Sequence, residues 1–432
     1  MLDIKWIREN GDTVQLAAER KGIALSVREL LEADVALRSL RQEADALRQA
    51  RNTLSTGIGM ALRDGNEAYA EQAKTQVAAV NGQLAGLEAE LDAAERRFRS
   101  LMELVPNVVS PDTPVGKSDA DNVEIRRVGM PKETGFPQRS HIELGELHDM
   151  IDVRRGVKTA GSRSYYLKGA GVLLHRAVQQ LAFDRLVHKG FTPVEVPLMV
   201  REEALAHAGF FPLGRDQVYR IDEEGRWLVG TSEVPLVNYY ADEIVDAAEP
   251  IKLAAASSCF RSEVGSAGRD VHGLYRVHQF AKVEQVVICE ADYEVSEALL
   301  QDITANAEEL LQLLELPYRV MAVCTGDMSQ KTYKQYDIET WMPSRGSYGE
   351  THSSSNLGDF QARRSNIRYR GAEGRLRYCH TLNNTAVASP RILIPLLENH
   401  QLEDGSIHIP EALRPYMGGM ARIAPPEPAV RA

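Results

Sequence analysis

The segment CFRSEVGSAGRDVHGLYRVHQFAKVEQ carries the residues whose types and spacing point most directly to chemistry. Arg261 and Glu263 are predicted to lie on one face of a strand, because alternate side chains of a strand point to the same side. A second strand is predicted to present Arg276, Phe280 and Glu284 in the same way. The loop that joins the two strands is rich in glycine, at Gly265, Gly268 and Gly273. The segment therefore predicts a hairpin that presents cations, an aromatic ring and carboxylates to one side.

This combination of side chains could bind ATP. Arginine holds phosphate oxygens through paired hydrogen bonds, an aromatic ring stacks on adenine, and a carboxylate accepts a hydrogen bond from the adenine amino group. The sequence contains neither a GxxxxGK[ST] loop nor a GxGxxG turn that opens a βαβ unit, so side chains would have to hold the nucleotide. The alternative is a charged antiparallel hairpin stabilised by cross-strand pairs, and the residue types alone leave both interpretations open.

Two long helices are predicted in the first quarter of the chain. Apolar residues recur at alternating steps of three and four from Leu37 to Leu54, and again from Val77 to Leu101. Turn-forming residues gather between the two runs, at Gly57, Gly59, Gly65 and Asn66. The pattern predicts an antiparallel helical hairpin, and helices of about 38 residues would be about 55–60 Å long. Such a coiled coil could be a dimerisation element, a spacer or an arm that contacts a large ligand.

A linker and a second domain are predicted to follow the helices. Pro106, Pro111 and Pro114 precede the polar stretch KSDADN. Beyond it, short β-branched runs such as PVEVPLMV and VEQVVIC mix with helical stretches, without regular helical crossovers. We therefore predict an α+β fold in which helices flank a mainly antiparallel sheet. The predicted boundaries are an N-terminal helical domain at 1–108, a second domain at 109–420 and a C-terminal tail at 421–432.

Composition is that of an ordinary globular protein, since 44% of the 432 residues are hydrophobic and 26% are charged. The formal net charge of -11, taken alone, argues against a polynucleotide partner. The cysteines lack CxxC spacing, so neither a zinc site nor a disulfide framework is expected. They are Cys259, Cys289, Cys324 and Cys379. No signal peptide and no apolar run long enough to span a membrane is evident, so we expect a cytoplasmic protein without a membrane partner.

The hairpin segment resembles motif 2 of class II aminoacyl-tRNA synthetases, and its RxxxF ending and long loop resemble seryl-tRNA synthetases in particular. The resemblance covers nearly the whole chain. The helical hairpin is similar to the family's tRNA-binding arm, GTSEVPL to its serine-binding T-x-E loop, and HTLNNTAVASPRILIPLLENHQ to motif 3. The resemblance implies a catalytic domain at 109–420 and a homodimer, with motif 1 around the helix before FTPVEVP and with Pro197 at the interface. It also reverses the expectation drawn from net charge, because a thin arm can recognise tRNA.

The resemblance assigns ATP to one group of residues. Arg261 would hold the α-phosphate and the reacting carboxylate, Glu263 would bind the adenine amino group, and Phe280 would stack on adenine against Arg391. Arg276 and Arg391 would bind the outer phosphates. Arg261 and Arg391 would thus be the catalytic residues, which act through charge and position.

A second group of residues is assigned to serine and to Mg²⁺. The serine-binding residues would be Thr231, Ser232, Glu233, Arg261, Glu284 and Thr385. Thr231 and Glu233 could instead form an ordinary helix start. Glu350 and Ser353 match an E-x-x-S site for Mg²⁺, and Thr351 and His352 between them would lie against ATP. No zinc is expected.

The chain departs from the family pattern in two places. His352 stands where a small hydroxyl residue is usual, and we interpret it as a packing or hydrogen-bonding variant. Motif 3 reads NTAVASP from Asn384 to Pro390, where a glycine-rich segment with a serine is common. HIEL at His141 and DMSQK at Asp327 faintly resemble two class I signatures, but without the surrounding strand, glycine loop and helix we regard both as coincidental.

The resemblance predicts that the chain activates serine with ATP and transfers the seryl group to serine tRNA, and also to selenocysteine tRNA. One alternative is a relative that loads a carrier protein or serves a biosynthetic pathway, which the helical arm argues against. Another is a binding protein without catalysis, which the intact motif residues argue against. Threonyl, prolyl and glycyl enzymes share motif 2, but the threonyl enzyme needs a zinc site, and the TSE loop favours serine.

Overall fold

The computed structural model describes residues 1–221, 224–265 and 273–425. The predicted loop residue Gly268 and residues 426–432 of the predicted tail lie outside this range. The chain divides into two compact units, one formed by Asp3–Pro106 and the other by Met1–Leu2 together with the residues from Asn107 onward. No helix in the described residues is both long and apolar enough to cross a membrane.

The first unit is helical. Its helices are α1 (Ile4–Glu9), α2 (Gly11–Arg20), α3 (Val27–Arg63) and α4 (Glu67–Leu104). Ser26 caps α3 by accepting a hydrogen bond from the Glu29 amide, and Asn66 caps α4 in the same way through the Tyr69 amide. The buried seam between the long helices includes Leu30, Leu37, Ala44, Ala73, Leu84 and Leu87. The predicted helical hairpin is therefore present.

The turn of the hairpin is shorter than predicted. Gly57 and Gly59 were expected in the turn, but both are helical, and the chain reverses only at residues 64–66. The reason at Gly57 is a close approach across the hairpin, since a Cβ there would lie 3.1 Å from the Tyr69 hydroxyl. The glycine at position 57 thus allows close packing against α4 and does not interrupt α3.

Ion pairs join the two long helices at the surface. Arg41 Nη2 lies 2.8 Å from Glu95 Oε1, and further along the hairpin Arg48 Nη2 lies 3.8 Å from Glu88 Oε1. The paired positions rise along α3 as they fall along α4, as an antiparallel register requires. The hairpin therefore has a defined residue-by-residue pairing.

The second unit is built on an eight-stranded sheet. In spatial order its strands are β1 (Val123–Val128), β10 (Tyr318–Ala322), β11 (Lys334–Met342), β12 (Ser347–Asn356), β15 (His380–Ser389), β9 (Gln279–Cys289), β8 (Ile251–Phe260) and β4 (Thr192–Pro193). Every neighbouring pair is antiparallel except β4 with β8. This confirms the predicted α+β fold with a mainly antiparallel sheet.

Shorter strands and eight helices complete the described part of this unit. The strands are β2 (Ile151–Asp152), β3 (Tyr166–Leu167), β5 (Met199–Arg201), β6 (Arg226–Leu228), β7 (Ile244–Val245), β13 (Arg368–Arg370), β14 (Leu376–Tyr378), β16 (Ile407–His408) and β17 (Arg422–Ile423). The helices are α5 (His141–Leu147), α6 (Val153–Ala160), α7 (Ala170–His188), α8 (Glu202–His207), α9 (Glu233–Asn238), α10 (Tyr293–Leu313), α11 (Phe360–Ser365) and α12 (Leu393–Asn399).

Strand β9 shows how the sheet supports a site. On one face Val283 and Val287 join the main apolar core, which also contains Leu174 of α7 and Leu300 of α10. On the other face Val286 belongs to a second apolar cluster, but the alternate positions toward the start of the strand are occupied by polar and aromatic side chains. The same face of β9 therefore packs in the core at Val286 and lines a cavity nearer the start of the strand.

Candidate active site

The cavity wall on β9 is formed by Phe280, Lys282 and Glu284, which are two residues apart and therefore share a face. The predicted alternation of Phe280 and Glu284 on this strand is present. Strand β15 lies next to β9, and its Thr385 is directly opposite Glu284 while Ala388 is opposite Lys282. These two positions of β15 thus extend the same wall.

Each of two strands contains one extra residue at the cavity. In β15 the pairing with β9 skips Ala386, and in β12 the pairing with β11 skips Thr351. Such β-bulges shift the alternation of side chains by one position. In addition, β12 and β15 pair with each other only at Ser354–Asn356 of β12. At the two bulges these neighbouring strands are therefore not hydrogen-bonded to each other.

The bulge at Thr351 explains how Glu350 and Ser353 can act together. In a regular strand, residues three positions apart point to opposite faces. Here Glu350 is opposite Glu339 and Ser353 is opposite Asp337, and those two partners alternate regularly on β11, so Glu350 and Ser353 share a face. The E-x-x-S spacing therefore places two oxygen ligands on the same side of the sheet.

The resulting cavity has a volume of about 340 Å³ and brings together nearly all residues that the sequence nominated. Its lining includes Thr231, Glu233, Arg261, Glu263, Arg276, Phe280, Glu284, Glu350, Thr351, His352, Ser353, Thr385 and Arg391. Ser232 does not line the cavity and is fully buried just before α9. Residues separated by more than a hundred positions thus converge on one space.

Three of the nominated residues lie outside the strands in which they were predicted. Strand β8 ends at Phe260, so Arg261 and Glu263 follow it, and Arg276 precedes the first residue of β9. The backbone of Glu263 has a φ of 52°, which no extended strand accommodates. Arg276 Nη1 nevertheless lies 3.3 Å from Glu263 Oε2, so the two sides of the hairpin still meet in an ion pair.

The two arginines assigned to catalysis are held by backbone carbonyls. Arg261 donates from Nε to the carbonyl of Gly230 at 3.2 Å, and its guanidinium carbon lies 5.2 Å from the centre of the Phe280 ring. Arg391 donates from Nε to the carbonyl of Tyr275 at 3.0 Å and from Nη1 to the carbonyl of Glu350 at 3.2 Å. Both guanidinium groups are thus oriented by contacts that leave other N–H groups for a ligand.

Arg391 also links motif 3 to the E-x-x-S segment. Its Nη1 lies 3.5 Å from Glu350 Oε2, and its guanidinium carbon lies 4.5 Å from the centre of the Tyr275 ring. The aromatic ring beside Arg391 is therefore Tyr275, while the cation beside Phe280 is Arg261. Sequence reasoning did not nominate Tyr275.

Burial shifts the pKa values of two carboxyls, one in the cavity wall and one on the neighbouring strand β11. Glu284 is 1% exposed, and burial raises the pKa of its carboxyl, although the nearby Lys282 ammonium opposes this shift. Burial likewise raises the pKa of Asp337 to about 8, with the Glu350 carboxylate as the next cause. A cation bound in the cavity would lower the pKa of Glu284, which lines it.

His352 is buried within the bulged part of β12. Its Nδ1 lies 2.8 Å from the hydroxyl of Thr351, which in turn lies 2.7 Å from the hydroxyl of Thr340. Burial lowers the pKa of His352 to about 3, so the imidazole is neutral near pH 7. The histidine thus extends a chain of hydroxyl groups across the strands.

Two lysines of the cavity were missed by sequence reasoning. Lys282 forms an ion pair with Glu284, and Lys331 forms one with Glu233. The alternation of Lys282 with Phe280 and Glu284 could have revealed the first. No local pattern marks Lys331, which meets its partner only through the fold.

The described residues contain no group of three or more histidine, cysteine, aspartate or glutamate side chains that could hold a metal ion. The four cysteines are buried and unbridged.

Two family models match the chain. Residues 1–109 match the seryl-tRNA synthetase N-terminal domain, and residues 219–400 match the class II tRNA synthetase core domain shared by the enzymes for G, H, P, S and T. The first match covers the helical unit, and the second covers every residue that lines the cavity except Phe210.

Curated relatives align over their full length. A serine–tRNA ligase from Deinococcus radiodurans is 45% identical over 99% of this chain and 100% of its own length. One from Brucella abortus is 44% identical over 98% of this chain and 99% of its own length.

Solved structures give the same result. A seryl-tRNA synthetase from Pyrococcus horikoshii, determined with ATP, has a TM-score of 0.89 and 38% identity and covers 99% of this chain and 100% of its own. The cytoplasmic serine–tRNA ligase from Naegleria fowleri, determined with AMP, has a TM-score of 0.84 and 27% identity and covers 98% of this chain and 99% of its own.

Proposed function

The chain belongs to the seryl-tRNA synthetase family of class II, ATP-dependent aminoacyl-tRNA synthetases, and from this premise we propose how its own residues activate serine and transfer it to tRNA. The observation that carries the proposal is the convergence of Arg261, Glu284 and Thr385 with Arg391 and Glu350 on one cavity. Cations, carboxylates and hydroxyls face the same space, as a reaction between a zwitterionic amino acid and a triphosphate requires.

In the first step the serine carboxylate attacks the α-phosphorus of ATP, a P–O bond forms, and pyrophosphate leaves with the electron pair of the broken bond. Arg261 contacts the α-phosphate and the attacking carboxylate, where negative charge accumulates in the transition state. Arg276 and Arg391 hold the outer phosphates, while Phe280 and Glu263 hold adenine. No side chain forms a covalent bond, so position and charge account for the rate enhancement.

Serine recognition depends on the buried carboxylates and hydroxyls. Glu284 pairs with the substrate ammonium, and Thr385, directly opposite it on β15, lies within the same wall to bond the serine hydroxyl. Thr231 and Glu233 complete the pocket at the start of α9. Alanine is rejected because it lacks the hydroxyl, so the buried group that binds the serine hydroxyl would be left unpaired.

The residues assigned to Mg²⁺ fit that ion. Glu350 and Ser353 offer oxygen ligands on the same face, and Mg²⁺ prefers oxygen and retains several waters, so two protein ligands beside phosphate oxygens suffice. The bound ion would offset the negative charge of the phosphates. Glu350 and Ser353 have the further role of orienting the polyphosphate relative to Arg391.

The second step passes the seryl group to a hydroxyl of the tRNA 3′-terminal ribose, and AMP leaves. We assign tRNA binding to the hairpin of α3 and α4, because these two long helices expose most of their side chains and lie within the match to the family's N-terminal domain. Serine tRNA is the substrate, and selenocysteine tRNA shares this assignment. The carrier-protein alternative is not favoured, because the match to the family's N-terminal domain includes this hairpin.

Three further assignments accompany this function. We propose a homodimer through α7 and the segment after it, where Leu173, Val187 and Pro197 are exposed. We propose a cytoplasmic location, since four buried thiols suit a reducing compartment. We propose the boundary between the helical and catalytic domains near residue 108 and a tail from residue 421.

The test is amino-acid-dependent exchange of pyrophosphate into ATP, run with serine, threonine, glycine, alanine and proline. We expect exchange mainly with serine, and charging of serine tRNA in the same preparation. A flat exchange response would contradict the proposal, and exchange without charging would favour the carrier-protein alternative. Charging of selenocysteine tRNA is measured separately.

A further inference from the structure

Lys331 is a buried cation in the wall of the cavity, and the proposed reaction does not use it. It lies between β10 and β11, in the segment DMSQK, whose faint resemblance to a class I signature we regarded as coincidental. Only 8% of the residue is exposed, and its Nζ forms an ion pair with Glu233, a residue assigned to serine binding. Ordering a lysine here costs rotamer freedom and hydration, so its contacts must offset that cost.

The fold holds the lysine stem closely. Gly209 leaves the space that it occupies, since a Cβ at Gly209 would lie 3.0 Å from the Cβ of Lys331. The ammonium lies 4.1 Å from the centre of the Phe210 ring. The side-chain amide of Asn107 donates a hydrogen bond of 3.0 Å from Nδ2 to the Lys331 carbonyl. Stem, head and backbone are therefore all fixed.

The carboxylate that Lys331 contacts is fixed by a second donor. Gln361 Nε2 donates to Glu233 Oε1 at 2.6 Å, and Lys331 contacts the same oxygen. The amide of Gln361 is itself oriented, because its Oε1 accepts a hydrogen bond of 2.7 Å from the hydroxyl of Thr381. One oxygen of Glu233 is thus occupied by two buried donors, which restricts the orientation of the whole carboxylate.

The cavity wall contains a second pair of the same kind, between Lys282 and Glu284. The amino acid pocket therefore presents two buried carboxylates, each with its own ammonium. The two pairs differ in one respect, because Glu233 also accepts a hydrogen bond from Gln361. Lys331 therefore acts together with Gln361 in holding this carboxylate.

We propose that Lys331 is a positioning residue for the amino acid substrate: together with Gln361 it fixes the orientation of Glu233 in the pocket that receives the substrate. This inference rests on the proposed function and names a residue through which the same pocket selects a small, polar α-amino acid. Lys331 acts through Glu233 and not on ATP. Its removal therefore affects serine binding and leaves nucleotide binding intact.

The experiment measures the KM values for serine and ATP by pyrophosphate exchange in K331M. We expect the KM for serine to rise at least about tenfold, because one partner of a buried pair has been removed, and the KM for ATP to stay unchanged. The matched control is K334M. Lys334 is also buried and paired with carboxylates, those of Asp112 and Glu297, but it does not line the cavity, so we expect its KM for serine to be unchanged.

A double-mutant cycle separates positioning from a general structural role. In an E233Q background K331M should have little further effect on the KM for serine, since the lysine acts through that carboxylate. An equal rise in both backgrounds, or an unchanged serine KM in K331M, overturns the inference. If K331M does not fold by circular dichroism, K331Q replaces it under the same criteria. Loss of serine-dependent exchange in the wild type would instead contradict the proposed function.

Discussion

One ion pair of the helical unit and one of the second, catalytic unit lie in opposite environments. In the helical unit, Arg41 and Glu95 pair with side chains that are 55% and 35% exposed. In the catalytic unit, Lys331 and Glu233 pair with side chains that are 9% and 6% exposed. Surface pairs contribute about 0–1 kcal/mol, whereas breaking a buried pair costs about 3–5 kcal/mol. We therefore expect a single substitution in the cavity to impair activity strongly. In the hairpin, we expect a large effect only when the helices are shortened.

The largest expected effect is that of R261A. Removing this guanidinium should lower pyrophosphate exchange by about 10²–10³-fold or more, because it removes a donor to the charge that develops at the α-phosphate. The proposed dimer should remain intact by sedimentation. R41A, on the hairpin surface, is the matched control and should leave exchange unchanged. Exchange near the wild-type rate in R261A would show that the motif 2 assignment is wrong.

A shortened hairpin should impair the charging of tRNA and leave pyrophosphate exchange unchanged. Residues 49–87 can be replaced by a short glycine-containing turn, because Arg48 and Glu88 face each other across the two helices. Charging of serine tRNA should fall by about a hundredfold or more, as phosphate contacts provide much of the affinity for nucleic acid, while exchange should be unchanged. Undiminished charging would exclude the hairpin as the tRNA-binding element.

The smallest expected effect is on stability in acid. The helical unit has no histidine, since the first one in the chain is His141, whereas His352 is buried in the catalytic unit. Burial lowers the pKa of His352 from 6.5 to about 3. Between pH 6.5 and about 3, this histidine therefore binds a proton in the unfolded chain but not in the folded chain. The stability contribution of neutral His352 is therefore present above pH 6.5 and is lost as pH falls toward 3.

H352Q should reduce this acid sensitivity by up to about 1.4 kcal/mol per pH unit. The measurement is urea unfolding at several pH values, followed by tryptophan fluorescence in a W6F background, so that Trp227 and Trp341 report the catalytic unit alone. H188Q provides the control, since His188 is exposed. Identical pH slopes for wild type and H352Q would contradict a neutral, buried imidazole.

The sequence predicted the structure best where a local repeat of side chains positions the residues. Phe280 and Glu284 could be assigned to one face because a strand alternates, and the seam of the hairpin could be read because it repeats. The same reasoning was wrong at Gly57, where contact with Tyr69 replaced the expected turn, and at Arg276, which lies before β9. Propensity and alternation describe neighbours in sequence, and tertiary contacts override them.

Other features of the site depend on residues that are distant in sequence. Lys331 and Glu233 are 98 positions apart in the sequence, and no sequence pattern around either residue predicts their contact. The shared face of Glu350 and Ser353 also could not be derived, because a bulge is recognised only when the partner strand is known. All residues that the resemblance nominated for the active site, except Ser232, line the cavity, but the resemblance did not explain how the sheet presents them.

The bulge at Thr351 makes the pairing of β12 with β11 part of the chemistry of the site. If Thr351 instead of Glu350 stood opposite Glu339, regular pairing would place Glu350 opposite Thr340 and turn its side chain to the other side of the sheet. The side chain at position 351 can therefore be exchanged as long as this residue stays outside the regular pairing, because residues three positions apart share a face only across a bulge.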